Sequence, residues 1–185
     1  MELGRARWRV RSRRAAASNL DAVTGASADQ HVHRYAARVA WQGSTADGYD
    51  AYSRAHEGAC PPAAGAPLPL SADPAFKGDP ARLNPERLVV LAASSCQMLS
   101  FLAVAARARV DVLAYEDDAE GEMPEHDRPV RIARITLRPR ITVRSAAPGD
   151  DRLRQLVETA HRHCFVANSL TSEIAIEPAF RRAPA

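Results

Sequence analysis

Residues 83–106, LNPERLVVLAASSCQMLSFLAVAA, decide the fold class. Asn84 can cap a helix, Pro85 suits its first turn, and Glu86 favours the positive end of the helix dipole. Beyond them Leu88, Leu91, Ala92, Ser95, Cys96, Leu99, Leu102, Ala103 and Ala106 recur at three- and four-residue spacing. That spacing predicts a helix with these residues on its buried face. Downstream, Val110–Tyr115 reads as a strand, followed by a polar turn at Gly121. From Ala133, Ile135, Leu137, Ile141 and Val143 alternate with polar residues, the period of a long half-exposed strand. Pro139 interrupts that strand and marks it as an edge or a bulge. A second helix is predicted from Asp151 to about His163, with Leu153, Leu156, Val157, Ala160 and then Cys164 on one face. Ile174 and Ile176 suggest a last strand.

Upstream, Tyr35, Ala37, Val39 and Trp41 alternate with more polar residues, so a strand is expected there, with order beginning near His33. Gly43–Gly48 reads as a turn and Tyr49–His56 as a second strand. Residues 58–85 hold most of the prolines and read as a long loop, a kind of segment that usually carries function. The order of strands, helix, strands, helix and strand argues for an α+β domain over residues 31–185. Residues 1–30 lack periodicity and read as a flexible Arg/Ala-rich tail. A targeting segment or a weak polyanion contact are the other readings of this tail.

The net charge of +3 and the high pI invite a nucleic-acid reading. Their source is local, because residues 1–14 hold six arginines and one glutamate, and the remainder carries a slight acidic excess. Lys77 is the only lysine, so arginine is the default cation throughout. No apolar run is judged to approach the roughly 20 residues that span a bilayer, and the chain is read as soluble. Three scattered cysteines do not make a secreted disulfide framework. An intracellular, reducing compartment, the cytoplasm, is the expectation.

Cys96 and Cys164 lie on the inward faces of the two helices and could meet if those helices pack together. Spacing alone leaves three readings open. They are a redox pair, two core cysteines behaving as small hydrophobes, or a metal site with His161 and His163. The run His161-Arg162-His163-Cys164 fans around a helix and makes a poor chelate.

Two stretches resemble a known family. Residues 83–106 resemble the first helix of the OsmC/Ohr family (osmotically inducible protein C-like and organic hydroperoxide resistance proteins). That helix has an Asn-Pro-Glu start and a small-residue stretch leading to a cysteine. AHRHCFVANSL, residues 160–170, resembles the family's second cysteine segment, and the opening Tyr-x-x-x-Val-x-Trp at Tyr35, Val39 and Trp41 also agrees. The likeness covers roughly residues 33–178. It implies an OsmC-like fold, with antiparallel sheets wrapped around two central helices in an intertwined homodimer. It also implies a thiol peroxidase that reduces organic hydroperoxides. Cys96 would be the peroxidatic residue and Cys164 the resolving one, with an external lipoyl-type or small dithiol as reductant and no metal, haem or flavin.

The mechanism needs a thiolate at Cys96, hence a cation beside it. The family uses an arginine held by a glutamate. Glu86 matches the glutamate. Where some relatives carry the arginine before Phe-x-Gly, this chain has Ala75, which leaves Arg54 as the best substitute and Arg82 as the next. Glu86 and Cys96 are ten residues apart, roughly 15 Å along one helix, so Glu86 is expected to serve the Cys96 of a partner subunit. Cys60 matches no family position. Two further readings stand beside the enzyme. One is a non-catalytic protein of the same fold that binds a hydrophobic ligand or senses oxidation. The other is a nucleic-acid-associated protein that uses the arginine-rich tail, which lacks a stacking platform. No membrane or specific nucleic-acid partner is expected.

Overall fold

Helix α1 runs unbroken from Pro85 to Arg107. Asn84 caps it: its side-chain oxygen accepts from the Arg87 N–H at 2.8 Å, and its amide donates to Asp73 at 3.0 Å. Glu86 in the first turn and Arg107 in the last complement the helix dipole. Because Asn84 is buried and bonded at both ends, Asn84→Ala is expected to cost about 1–2 kcal/mol. A urea unfolding curve checks this, and an unshifted midpoint would contradict it.

The structure is a computed structural model and describes residues 32–63 and 65–184. The expected tail, residues 1–30, lies outside the described residues. From Ala36 onward the chain forms one compact unit.

The face of α1 that turns inward is not the one its spacing suggests. Ala93, Gln97, Phe101 and Ala105 are the buried residues, whereas Leu91 and Leu99 are 59% and 60% exposed. Ala92, Ser95, Ala103 and Ala106 are exposed with them. The reason is compositional. Residues 88–106 carry no charge, so the helix is apolar nearly all round and periodicity alone cannot choose its inner face. The same fact corrects the reading of the chain's apolar runs, because α1 is long and apolar enough, by length and composition only, to cross a membrane. Within the fold it packs against helix α2, Asp150–Arg162, whose buried face is Leu153, Leu156, Val157 and Ala160 as expected. Gln97 tethers the two helices by donating to the Val157 carbonyl at 3.3 Å.

Strands β1 (Arg38–Ala40), β2 (His56–Ala59) and β3 (Leu68–Leu70) form an antiparallel sheet in that order. The second strand starts where the sequence expectation ends it. Residues 49–55 turn instead, because the Arg54 guanidinium donates to the carbonyls of Tyr49 and Tyr52 and curls the chain around itself. The expected loop 58–85 contains β3 and a 3-10 turn, Pro74–Phe76, both too short for a period to register. Gly78 closes that turn. A Cβ there would lie 1.7 Å from the Ala72 carbonyl oxygen, so no other residue fits.

The remaining strands are β4 (Val112–Asp117), β5 (Glu120–Glu122), β6 (Arg134–Leu137), β7 (Pro139–Arg144), β8 (Glu173–Ile176) and β9 (Ala179–Ala183). They form two three-stranded sheets, β4-β7-β9 and β5-β6-β8. The long strand expected from Ala133 is in fact two, β6 and β7, each central in its own sheet. The break is at Arg138, whose N–H goes to the Asp117 carboxylate at 2.7 Å rather than to a neighbouring strand. Pro139, which has no N–H, then opens β7. The expected antiparallel pairing holds throughout β1–β3 and for β4–β7 and β5–β6, but the last two sheets are mixed, because β6 pairs β8 and β7 pairs β9 in parallel. Gly121, expected in a turn, lies within β5. Strand β9 carries no sequence signal, because Phe180 is its one large apolar residue and Arg181 and Arg182 follow it.

The core has two parts. Phe101, Ile141, Val143, Leu153, Leu156 and Val157 meet between the helices and the β4-β7-β9 sheet. Ala93, Ile135 and Leu137 meet between α1 and β6. Ser94 fastens α1 to the end of β4 by donating to Asp117 at 2.5 Å.

Candidate active site

Cys96 sits at mid-length on α1, half-buried, and Cys164 follows the end of α2, 1% exposed. The packing of α1 on α2 makes the two thiols neighbours, close enough for Cys96 to perturb Cys164. Both are free cysteines. The turn after α2, continued by the 3-10 segment Ala167–Ser169, adds backbone donors. The Val166 N–H points at the Cys96 sulfur at 3.5 Å, and Ala167 and Val166 hydrogen-bond Cys164.

Burial pushes the Cys164 thiol up to about 11, and neighbouring Cys96 adds to the rise, while the bonds from Ala167 and Val166 pull the other way. Cys164 is therefore a protonated thiol at neutral pH, able to donate its S–H to Cys96. Tyr115 on β4 lies within the electrostatic reach of Cys164. Its phenol is pushed above its usual range by burial, then by the charges of Asp117 and Cys164. Its hydroxyl is buried with no protein partner. Nothing in the sequence singles out Tyr115, the Ser94–Asp117 bond or the Val166 N–H, because each depends on contacts distant along the chain.

The thiol pair has a direct chemical signature. Iodoacetamide should label Cys164 slowly at pH 7–8, and its rate should climb as the pH approaches about 11. The same shift sets a sign for stability. The folded thiol holds its proton more tightly than the unfolded one, so this contribution is intact below about pH 9 and is lost as pH rises through about 11. Rapid labelling of Cys164 at neutral pH, read by peptide mass spectrometry, would contradict the assignment.

The two ionic candidates lie elsewhere. Glu86 is in the first turn of an unbroken helix, so it is about 15 Å from its own Cys96. Its Oε2 is buried without a hydrogen-bond partner. Glu86 stands between two clefts. One, of about 550 Å³, is lined by Asp73, Arg87, Ser94 and Asp117 among others. The other, of about 380 Å³, is lined by Trp41, Tyr52, Arg54, His56 and Phe76. Arg54 therefore shares a cleft with Glu86 but forms no ion pair with it. Its guanidinium lies 3.8 Å over the Tyr52 ring and 4.7 Å over Tyr49. Arg82 pairs with Asp79 at 3.4 Å. Among the described residues, no ion pair or hydrogen bond brings a cation to Cys96. Among the described residues no set of three or more His, Cys, Asp and Glu gathers in a way that could hold a metal. Cys60 is exposed just beyond β2.

Residues 77–179 match the family described as OsmC-like protein, over half of the chain. This chain belongs to the OsmC-like family. Solved structures agree with that assignment. An OsmC-like protein of unknown function from Vibrio cholerae is 29% identical, with a TM-score of 0.72 over 80% of this chain and 100% of its own. An organic hydroperoxide resistance protein OsmC from Legionella pneumophila is 13% identical, with a TM-score of 0.58 over 82% and 98%. An organic hydroperoxide resistance protein from Elizabethkingia anophelis is 12% identical, with a TM-score of 0.60 over 83% and 99%. At those identities the last two share the OsmC-like fold with this chain and no more. No curated protein matches it. Both family segments read from the sequence fall within the matched region: Asn84-Pro85-Glu86 with Cys96 on α1, and Cys164 after α2.

Proposed function

We propose that this OsmC-like protein is a thiol peroxidase that reduces organic hydroperoxides to alcohols. One observation carries the reading: the packing of α1 on α2 makes Cys96 and Cys164 neighbours, close enough for Cys96 to perturb the Cys164 thiol, with a backbone N–H aimed at the Cys96 sulfur. The Cys96 thiolate attacks the terminal oxygen of ROOH. An S–O bond forms, the O–O bond breaks, and the alkoxide leaves as the alcohol after taking a proton. Cys96 is now a sulfenic acid. The Cys164 thiol displaces its hydroxyl, which departs with the thiol proton as water, and a disulfide forms. An external dithiol returns both sulfurs to thiols by exchange.

The site is completed by a second copy of the chain. Three features of the single chain support this. Leu91 and Leu99 leave an apolar stripe on α1 uncovered. Glu86 keeps a buried oxygen without a partner, which costs energy until something bonds it. Among the described residues, no ion pair or hydrogen bond brings a cation to Cys96. A homodimer that pairs α1 stripes covers the leucines and brings Glu86, with Arg54 in the adjoining cleft, toward the Cys96 of the other subunit. A cycle that returns both sulfurs to thiols through an external dithiol fits a reducing compartment such as the cytoplasm.

Turnover of cumene hydroperoxide with a dithiol donor tests the activity. The expected result is a kcat/KM well above that for hydrogen peroxide, because the aromatic cleft favours an apolar substituent. No consumption of either peroxide would remove the enzyme reading and leave a ligand-binding member of the fold.

A further inference from the structure

We propose that the groove between α2 and β8 is a second binding site, for a small amphipathic anion such as a medium-chain carboxylate. The groove encloses about 440 Å³, within the usual range of ligand pockets. Neither Cys96 nor Cys164 lines it, so it is distinct from the thiol site.

Its two walls differ in chemistry. Val157, Ile174 and Ile176 make an apolar wall, and Arg154 and Arg162, with the His161 ring, make a polar one that carries the arginines' positive charge. His161 supplies the most specific observation. Its Nδ1 is buried and has no hydrogen-bond partner. An orphaned buried nitrogen is unfavourable, and a ligand oxygen at that point would relieve it. A carboxylate accepts from an N–H there.

The arginines point the same way. Some arginines elsewhere pair with carboxylates: Arg134 with Glu173, Arg138 with Glu120 and Glu177, Arg140 with Asp118, Arg182 with Asp150. Arg154 and Arg162 do not, although Glu158 lies four residues from each, the spacing at which helical ion pairs form. Arg154 lies 5.8 Å over the Phe180 ring, and Arg162 spends one N–H on Thr159 at 3.0 Å. Both keep donors for an anion, and Glu158 offsets only part of their charge. An acyl chain against the isoleucines, with its carboxylate at His161 and the arginines, satisfies both walls. The site adjoins the thiols through the chain, because the Cys164 N–H donates to the His161 carbonyl at 3.1 Å.

The test is calorimetric titration of the full, reduced chain with octanoate, octanol and acetate, in the absence of peroxide. Octanoate is expected to bind, with octanol (no charge) and acetate (no tail) each at least tenfold weaker. His161→Phe should weaken octanoate at least tenfold. Arg154→Gln with Arg162→Gln should do the same while sparing octanol. Unchanged octanoate affinity in both variants would overturn the proposal, as would no heat up to about 10 mM ligand. Loss of octanoate binding in Trp41→Ala alone would overturn it too, because it would put the ligand in the aromatic cleft. None of these readouts depends on peroxidase activity.

Discussion

Cys96→Ser is expected to abolish hydroperoxide turnover, lowering kcat/KM by about a thousandfold or more, because the remaining thiol, Cys164, is held protonated by burial and is a poor nucleophile. Cys164→Ser should behave differently. The first step needs only Cys96, so this variant should release one equivalent of alcohol in a burst and then stall as a sulfenic acid, trapped by dimedone. The asymmetry follows from the environments of the two sulfurs. Cys96 is half-buried on α1, whereas Cys164 is sealed from solvent and held protonated by burial. If Cys164→Ser lost the burst while Cys96→Ser kept it, the two roles would be reversed.

Mixing two inactive variants should restore activity. Glu86→Gln and Cys96→Ser homodimers each lack an essential group at both sites. When the two chains are co-expressed, about half of the dimers are mixed. If Glu86 serves the other subunit's Cys96, each mixed dimer holds one intact site and one doubly altered site. About a quarter of the wild-type activity should return. If Glu86 served its own Cys96, every site in the mixture would carry one defect and no activity would return. The continuous helix from Pro85 to Arg107 argues for the first outcome, because it holds the two side chains about 15 Å apart within a chain. Leu91→Arg with Leu99→Arg gives a second route to the same claim. A charge on the apolar stripe should yield monomers by size-exclusion chromatography and lose turnover with them.

Elements that announce themselves through local chemistry were legible in the sequence. Asn84-Pro85-Glu86 fixes where α1 begins, and Leu153, Leu156, Val157 and Ala160 fix the inner face of α2. The approach of Cys96 and Cys164 required only that both helices turn their cysteines toward the same interior. Where neighbours decide, the sequence was silent. The charge-free α1 offers two apolar faces. Phe101 and Gln97 win the inner one within the chain, leaving Leu91 and Leu99 outward. Arg138 ends a strand because the Asp117 carboxylate, 21 residues away, takes its N–H. Arg54 matched the family's need for a cation by residue type, but its guanidinium is engaged with the carbonyls and rings of Tyr49 and Tyr52. Tyr115 and the orphaned His161 nitrogen carry no local signature.

The central claim is that Cys96 and Cys164 form one redox couple. It is tested most directly by treating the reduced protein with one equivalent of cumene hydroperoxide, counting the remaining thiols and mapping disulfides by mass spectrometry. The account predicts rapid loss of two thiols per chain, a Cys96–Cys164 linkage, and Cys60 left free. Survival of both thiols, or a linkage through Cys60, would contradict it.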